Sequence, residues 1–129
     1  MVWQGRSLRK PSGARIRSAR KKRRFEYGRE ATETKIGERK IKSIRSRGGK
    51  TSTIYLQAKY VNVYNPKTKK CIKSTIKSVL ENPADPHYVR RNIITKNAVL
   101  DTEAGKVKVT NRPGQEGCVN AILLEPKSK

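Results

Sequence analysis

Acidic residues are scarce in this chain: ten Asp and Glu stand against 32 Lys and Arg in 129 residues, a formal net charge of +22. No acid precedes Glu26. So little negative charge excludes neutralisation from within and points to a polyanion as partner. Cysteine is nearly absent too. Cys71 and Cys118 lie far apart, without CxxC spacing and with no histidine beside either, so no zinc site or other metal is expected. They read as reduced thiols acting as small core hydrophobes. Histidine occurs once, at His87. General acid–base chemistry needs a partner that orients the imidazole, and Asp85 is poorly placed for that across Pro86. With no clustered carboxylate, His or Cys constellation anywhere, enzymatic activity is not expected, nor a cofactor or a small-molecule substrate. No apolar run approaches the length of a membrane span, and none follows the charged start as a secretory signal would require. A soluble, intracellular protein with no membrane partner is the expectation.

What is present is concentrated basic charge. Arg6, Arg9, Lys10, Arg15, Arg17, Arg20, Lys21, Lys22, Arg23 and Arg24 fall in the first 24 residues. Like charge at that density cannot pack against itself. The segment reads as an extended arm, broken at Pro11-Ser12-Gly13 and disordered until it meets nucleic acid, where condensed counterions are released. Once phosphates neutralise it, Ala14–Arg24 has the composition for a short helix. Acids first appear as Glu26, Glu30, Glu33 and Glu38, where the chain is expected to fold back toward a body, with Gly28 and Gly37 at turns.

Residues 1–50 carry net +14 and 13 apolar residues, residues 51–129 net +8 and 30 apolar residues, so a core fits only the second part. Residues 1–37 are therefore assigned to the basic arm and fold-back segment, and 38–129 to the body. Within the body, Lys40–Arg47 reads as a basic edge strand ended by Gly48-Gly49. Thr53–Tyr64 reads as one long strand, rich in β-branched and aromatic residues. Lys70–Leu80, Ala98–Thr102, Lys106–Thr110 and Cys118–Leu124 follow as further strands, separated by turn chemistry at Asn65-Pro66, Ala104-Gly105 and Pro113-Gly114. The double-proline segment 82–86 is a rigid loop, and 87–92 one helical turn. Short strands at this spacing predict an all-β fold, a small antiparallel β-barrel behind an extended N-terminal arm.

Gly49-Lys50-Thr51 invites comparison with a phosphate-binding loop, but the motif needs a glycine where Ile44 stands and a helix that does not follow. Arg45-Ser46-Arg47-Gly48-Gly49-Lys50 reads better as a basic turn whose glycines let backbone amides approach a phosphate. Arg90 and Arg91, held between apolar neighbours, would project two guanidiniums able to grip phosphate in a fork. Arg112 extends the same basic face. Trp3 has three readings that the sequence does not separate: docking on a partner, stacking on an unpaired base, or packing on the chain's own barrel.

Several blocks together resemble one family. They are Gly5-Arg6-Ser7-Leu8-Arg9-Lys10-Pro11-Ser12-Gly13, Lys21-Lys22-Arg23-Arg24, Glu26-Tyr27-Gly28, Thr34-Lys35-Ile36-Gly37 and Arg45-Ser46-Arg47-Gly48-Gly49. Pro83 to Lys96 and Val109 to Gly117 continue the match in order. The pattern is similar to small-subunit ribosomal protein eight of the eukaryotic and archaeal type, in its short archaeal form. Tyr27 departs from it, standing where an aliphatic residue is usual. The resemblance implies a β-barrel body, an extended arm and non-catalytic binding to small-subunit rRNA, beside neighbouring ribosomal proteins in the cytoplasmic ribosome. No homo-oligomer is expected. The alternatives are an assembly factor of the same family acting on pre-rRNA, or a DNA-architectural protein with similar electrostatics.

Overall fold

A computed structural model describes residues 2–126, apart from the side chain of Arg47. They divide into two compact units, the first ending at Ala31 and the second beginning at Thr32. Among the described residues no helix is long and apolar enough to cross a membrane.

The first unit closes on itself through short-range bonds. Strand β1 (Val2–Trp3) pairs antiparallel with β2 (Tyr27–Gly28), and the Gln4 N–H donates to the Glu26 carbonyl at 3.0 Å. Between them the chain turns back at residues 10–14. Lys10 N–H donates to the Ala14 carbonyl, Ile16 N–H to the Leu8 carbonyl, and Arg9 faces Arg15 across an isolated antiparallel bridge. Gly13, at φ +82°, supplies the left-handed residue such a reversal needs. The helix expected over 14–24 only once phosphates neutralise the segment is not formed in the chain alone. Opposite-strand pairing engages its first residues, and the helical geometry is a single 3₁₀ turn at Arg24–Glu26. Nor is Gly28 a turn. It lies within β2, where a Cβ would collide with the Gln4 side chain.

The second unit is all-β. Strands β3 (Thr34–Ile36), β4 (Lys40–Arg45), β5 (Thr51–Ala58) and β8 (Ile93–Ile94) form a sheet in the order β4-β5-β3-β8. Strands β6 (Tyr60–Asn65), β7 (Lys70–Glu81), β9 (Val99–Thr102), β10 (Gly105–Val109) and β11 (Asn120–Pro126) close a barrel in the order β10-β11-β6-β7-β9. Period-two alternation places Val61 and Val63 of β6, and Val107 and Val109 of β10, inside this barrel. Tyr60, Asn62 and Tyr64, with Lys106 and Lys108, point outward. Leu100, Val119 and Ala121 complete the interior, and β7 takes up the curvature of closure through two register shifts.

Three sequence expectations need correction. The barrel is not wholly antiparallel, because β11 runs parallel to β6. Their pairing joins segments separated by most of the body, as a parallel contact requires. The long strand 53–64 is two strands interrupted at Lys59, β5 in the sheet and β6 in the barrel. Cys71 is exposed and Cys118 half-buried, so neither is a core side chain.

Polar groups that do enter the interior have partners. Thr34 Oγ1 donates to the Tyr55 carbonyl and Thr102 Oγ1 to the Gly105 carbonyl, each at 2.8 Å. Asn82, 7% exposed, donates through Nδ2 to the Ile93 carbonyl and accepts from Ala84 N–H and Thr95 Oγ1. It thereby fixes the double-proline loop to β8. That loop leads into α1 (His87–Arg90), a single turn begun where the His87 N–H donates to Asp85 Oδ1 at 2.8 Å.

Leu100 is fully buried among these aliphatic side chains, so Leu100→Ala is expected to lower unfolding free energy by about 2–5 kcal/mol. Lys108→Ala, outward on the neighbouring strand β10, should change it by no more than about 0.5 kcal/mol. Urea unfolding of the two variants checks the contrast.

Candidate nucleic-acid interface

In the first unit the turn Arg23–Glu26 is stapled by one carboxylate. Glu26 accepts two hydrogen bonds from the Arg20 guanidinium, at 2.6 and 3.2 Å, and a third from the Arg23 backbone N–H at 2.8 Å. These bonds, that from Arg20 foremost, hold the Glu26 carboxyl below the usual carboxylate range. Trp3 packs edge-on to Tyr27, their centroids 6.3 Å apart, and Lys22 Nζ stands 4.9 Å from the Trp3 ring centroid. Its indole N–H donates to the Arg6 carbonyl at 3.3 Å. Trp3 is thus half-buried within the basic unit and serves there as a platform carrying a cation.

Arg6, Lys10, Arg17, Lys21, Arg23 and Arg24 are exposed on this unit. Arg9 is oriented by a 2.8 Å bond from its guanidinium to the Gly13 carbonyl. Its bridge to Arg15 sets two like charges opposite each other, an arrangement that disfavours the hairpin.

In the second unit the basic turn joins β4 to β5. Gly48 and Gly49 have φ of +72° and +75°, and around the position of a Cβ on either there is open space. The Ser46 N–H donates to the Lys50 carbonyl at 2.6 Å and pins the ends of the turn. Arg45 and Lys50 are exposed beside it, while the side chain of Arg47 lies outside the described residues. Arg112 sits in the loop after β10, whose Pro113 carbonyl accepts the Tyr55 N–H at 3.0 Å. Arg112 and the Arg45–Lys50 turn therefore share strand β5.

Arg90 and Arg91 do not join that group. Helix α1 delivers them to β8, the opposite edge of the four-stranded sheet, with Val89 packed against the core. Arg90 is exposed, whereas Arg91 forms an ion pair with Glu33. One residue thus orients the helix end and the other faces solvent.

Sequence reasoning passed over a further cluster. Arg39, Lys59 and Lys73 approach the rings of Tyr55 and Tyr60, with the cation–centroid distances at Tyr60 being 6.0 Å for Lys59 and 4.3 Å for Lys73. The available signal was alternation: Tyr60 and Asn62 lie on the outward face of β6, and Lys73 is the register partner of Asn62. No group of His, Cys, Asp and Glu among the described residues could hold a metal ion. The surface offers chemistry for binding anions, through fixed backbone turns and guanidinium and ammonium groups.

Residues 3–124 match the model of the family described as ribosomal protein S8e. The chain is similar to small ribosomal subunit protein eS8 of Picrophilus torridus, 50% identical over 95% of this chain and 98% of the relative. It is likewise similar to the proteins of the same name from Methanosphaera stadtmanae, 52% identical over 96% and 98%, and Methanococcoides burtonii, 51% identical over 97% and 100%.

A staple that acts through a carboxylate must weaken as that carboxylate is protonated. Because its pKa is lowered in the folded unit, Glu26 contributes order in full above its unfolded pKa, and loses it as pH falls through the lowered value. Trp3 is the single tryptophan and reports on this unit. Its fluorescence should change in acid below the ordinary carboxylate range, and Glu26→Gln at neutral pH should already resemble the acid form. Identical spectra for Glu26→Gln and the parent at neutral pH would remove Glu26 as the staple.

Proposed function

The chain belongs to the ribosomal protein S8e family, and on that premise we propose that it is a structural constituent of the small ribosomal subunit that binds and stabilises folded rRNA. Its place of work in this reading is the ribosome, its partners are rRNA and adjoining ribosomal proteins, and it performs no catalysis. The observation that carries the reading is the uneven charge. Ten carboxylates can pair with at most ten of 32 cations, and the stretch before Glu26 contains no carboxylate at all. RNA phosphates supply the missing counter-charge, and release of their condensed counterions favours the complex.

The second unit docks through exposed cations at two places on its sheet: Arg45, Lys50 and Arg112 around the β4–β5 hairpin, and Arg90 beside the edge strand β8. Gly48 and Gly49 let the turn backbone come within hydrogen-bond reach of a phosphate oxygen. The first unit, with Arg6, Arg9, Lys10, Arg15, Arg17, Lys21, Lys22, Arg23 and Arg24, enters between RNA helices and offsets phosphate–phosphate repulsion. Side chains cannot read the deep, narrow major groove of A-form RNA, so recognition is of shape, backbone and 2′-hydroxyl.

With 6–10 phosphates contacted, affinity for small-subunit rRNA should fall by about 10³–10⁵ between 50 and 200 mM salt. Filter binding across that range checks it, and a nearly flat response would refute the reading. Removing residues 1–31 should weaken binding strongly while leaving the thermal unfolding of the second unit, which has its own core, little changed. Loss of both together would show instead that the basic unit supports the fold.

A further inference from the structure

Within the second unit, Arg39, Tyr55, Lys59, Tyr60, Asn62 and Lys73 line a recess that includes no residue of the basic turn or of α1. It has a volume of about 210 Å³, and the buried Val119 contributes to its lining. Tyr55 is half-buried, held by its N–H to the Pro113 carbonyl and packed against the core. Tyr60 stands outward on β6 and is 43% exposed. Asn62 is fixed beside it by donation from Nδ2 to Asn120 Oδ1 at 3.1 Å.

Three cations converge on this recess, and no carboxylate lines it. On another part of the barrel one outward lysine, Lys106, is answered by an acid, Glu125, across β10 and β11 at 3.1 Å. Here the two ammonium groups of Lys59 and Lys73 gather on the negative face of a single ring instead. Such a site lacks an anion and presents an aromatic surface next to the place where one would sit. A nucleotide carries both complements in one unit: a flat base for the ring and a phosphate for the ammonium groups.

We propose that this recess captures one unpaired nucleotide of the bound RNA, its base stacked on Tyr60 and its phosphate held by Lys59 and Lys73. The inference rests on the RNA-binding reading above and adds to it a single-stranded contact. In the free protein Lys73 lies over the Tyr60 ring. On binding, its ammonium moves to the phosphate and yields the ring to the base. Arg39, at 6.0 Å from the Tyr55 centroid, bounds the recess on the side of the four-stranded sheet and supplies a second cation for the neighbouring phosphate.

The test uses the full-length chain, small-subunit rRNA of the source organism as probe, and three variants: Tyr60→Leu, Tyr60→Phe and Lys73→Gln. Both positions are outward on their strands, and a thermal melt of each variant verifies that the barrel is kept. Tyr60→Leu should lower affinity roughly tenfold with the salt slope unchanged, because stacking and not charge is removed. Tyr60→Phe, which keeps the ring, should bind like the parent. Lys73→Gln should weaken binding and reduce the salt slope by about one counterion. If Tyr60→Leu binds as the parent does, the stacking site is wrong while RNA binding stands. Equal loss in Tyr60→Leu and Tyr60→Phe would mean a hydroxyl contact and overturn stacking. Unchanged RNA binding with reduced incorporation into subunits would assign the recess to a protein neighbour instead. Failure of the parent protein to bind the rRNA defeats this inference together with the reading beneath it.

Discussion

Electrostatic repulsion among cations that cannot be neutralised within the chain is the constraint on which the remaining structure depends. With net charge +22, each compact element has to form despite its own surface. The second unit meets this by enclosing an aliphatic barrel, where Leu100, Val107 and Val109 are fully buried and basic residues occupy the alternate, outward positions. Burial of apolar area is insensitive to the charge outside it, so the barrel can carry Lys106 and Lys108 at no cost to its core. The first unit shows no such interior among the described residues and holds its shape with backbone hydrogen bonds, the Arg20–Glu26 ion pair and a small aromatic contact.

The few acids whose ion pairs are defined sit at joints. Glu26 closes the 3₁₀ turn beside β2, Glu33 ties the end of α1 to the segment before β3, and Glu125 bridges β11 to β10. Exposed pairs of this kind contribute little individually. Their placement still matters, because each removes one cation from the surface where geometry must be kept. Around the Arg45–Lys50 turn and the Tyr60 recess the arrangement is the reverse: fixed backbone, fixed rings and basic groups converge with no acid among the recess residues.

Much of the barrel was legible from alternation alone. Val61 and Val63, then Val107 and Val109, mark inward positions in the sequence, and β10 and β11 fall close to where turn chemistry at Gly105 and Pro113-Gly114 bounds them. The break at Lys59 was also encoded, though it was not read. Buried positions Ile54 and Ala58 share one parity and Val61 and Val63 the other, so a single strand could not bury both sets on one face. The parallel contact of β6 with β11 was not legible, since alternation gives a strand's faces but not its neighbours. The two-residue strands β2 and β8 are too short to show any period. For the candidate site, the sequence named the exposed cations, but not that Glu33 engages Arg91, nor that Lys59 and Lys73 meet at Tyr60. Glu33 and Arg91 lie 58 positions apart and Lys73 reaches Tyr60 from the neighbouring strand β7, and composition does not carry such contacts.

Charge density and rigidity therefore divide between the units in a way that bears on how an RNA complex would assemble. The second unit presents fixed geometry: glycines already in the left-handed region, a loop pinned through Pro113, and aromatic rings anchored on strands. Little ordering entropy remains to be lost there, so its contacts favour shape selection. The first unit sets Arg9 against Arg15, a like-charge pairing that disfavours its hairpin, so in the proposed complex phosphate would favour its ordering. Affinity drawn from that unit is then coupled to ordering and strongly dependent on salt, while orientation comes from the barrel. In the proposed complex a tenfold change in ionic strength would alter the first contribution far more than the second, which is the physical basis for treating the two units separately.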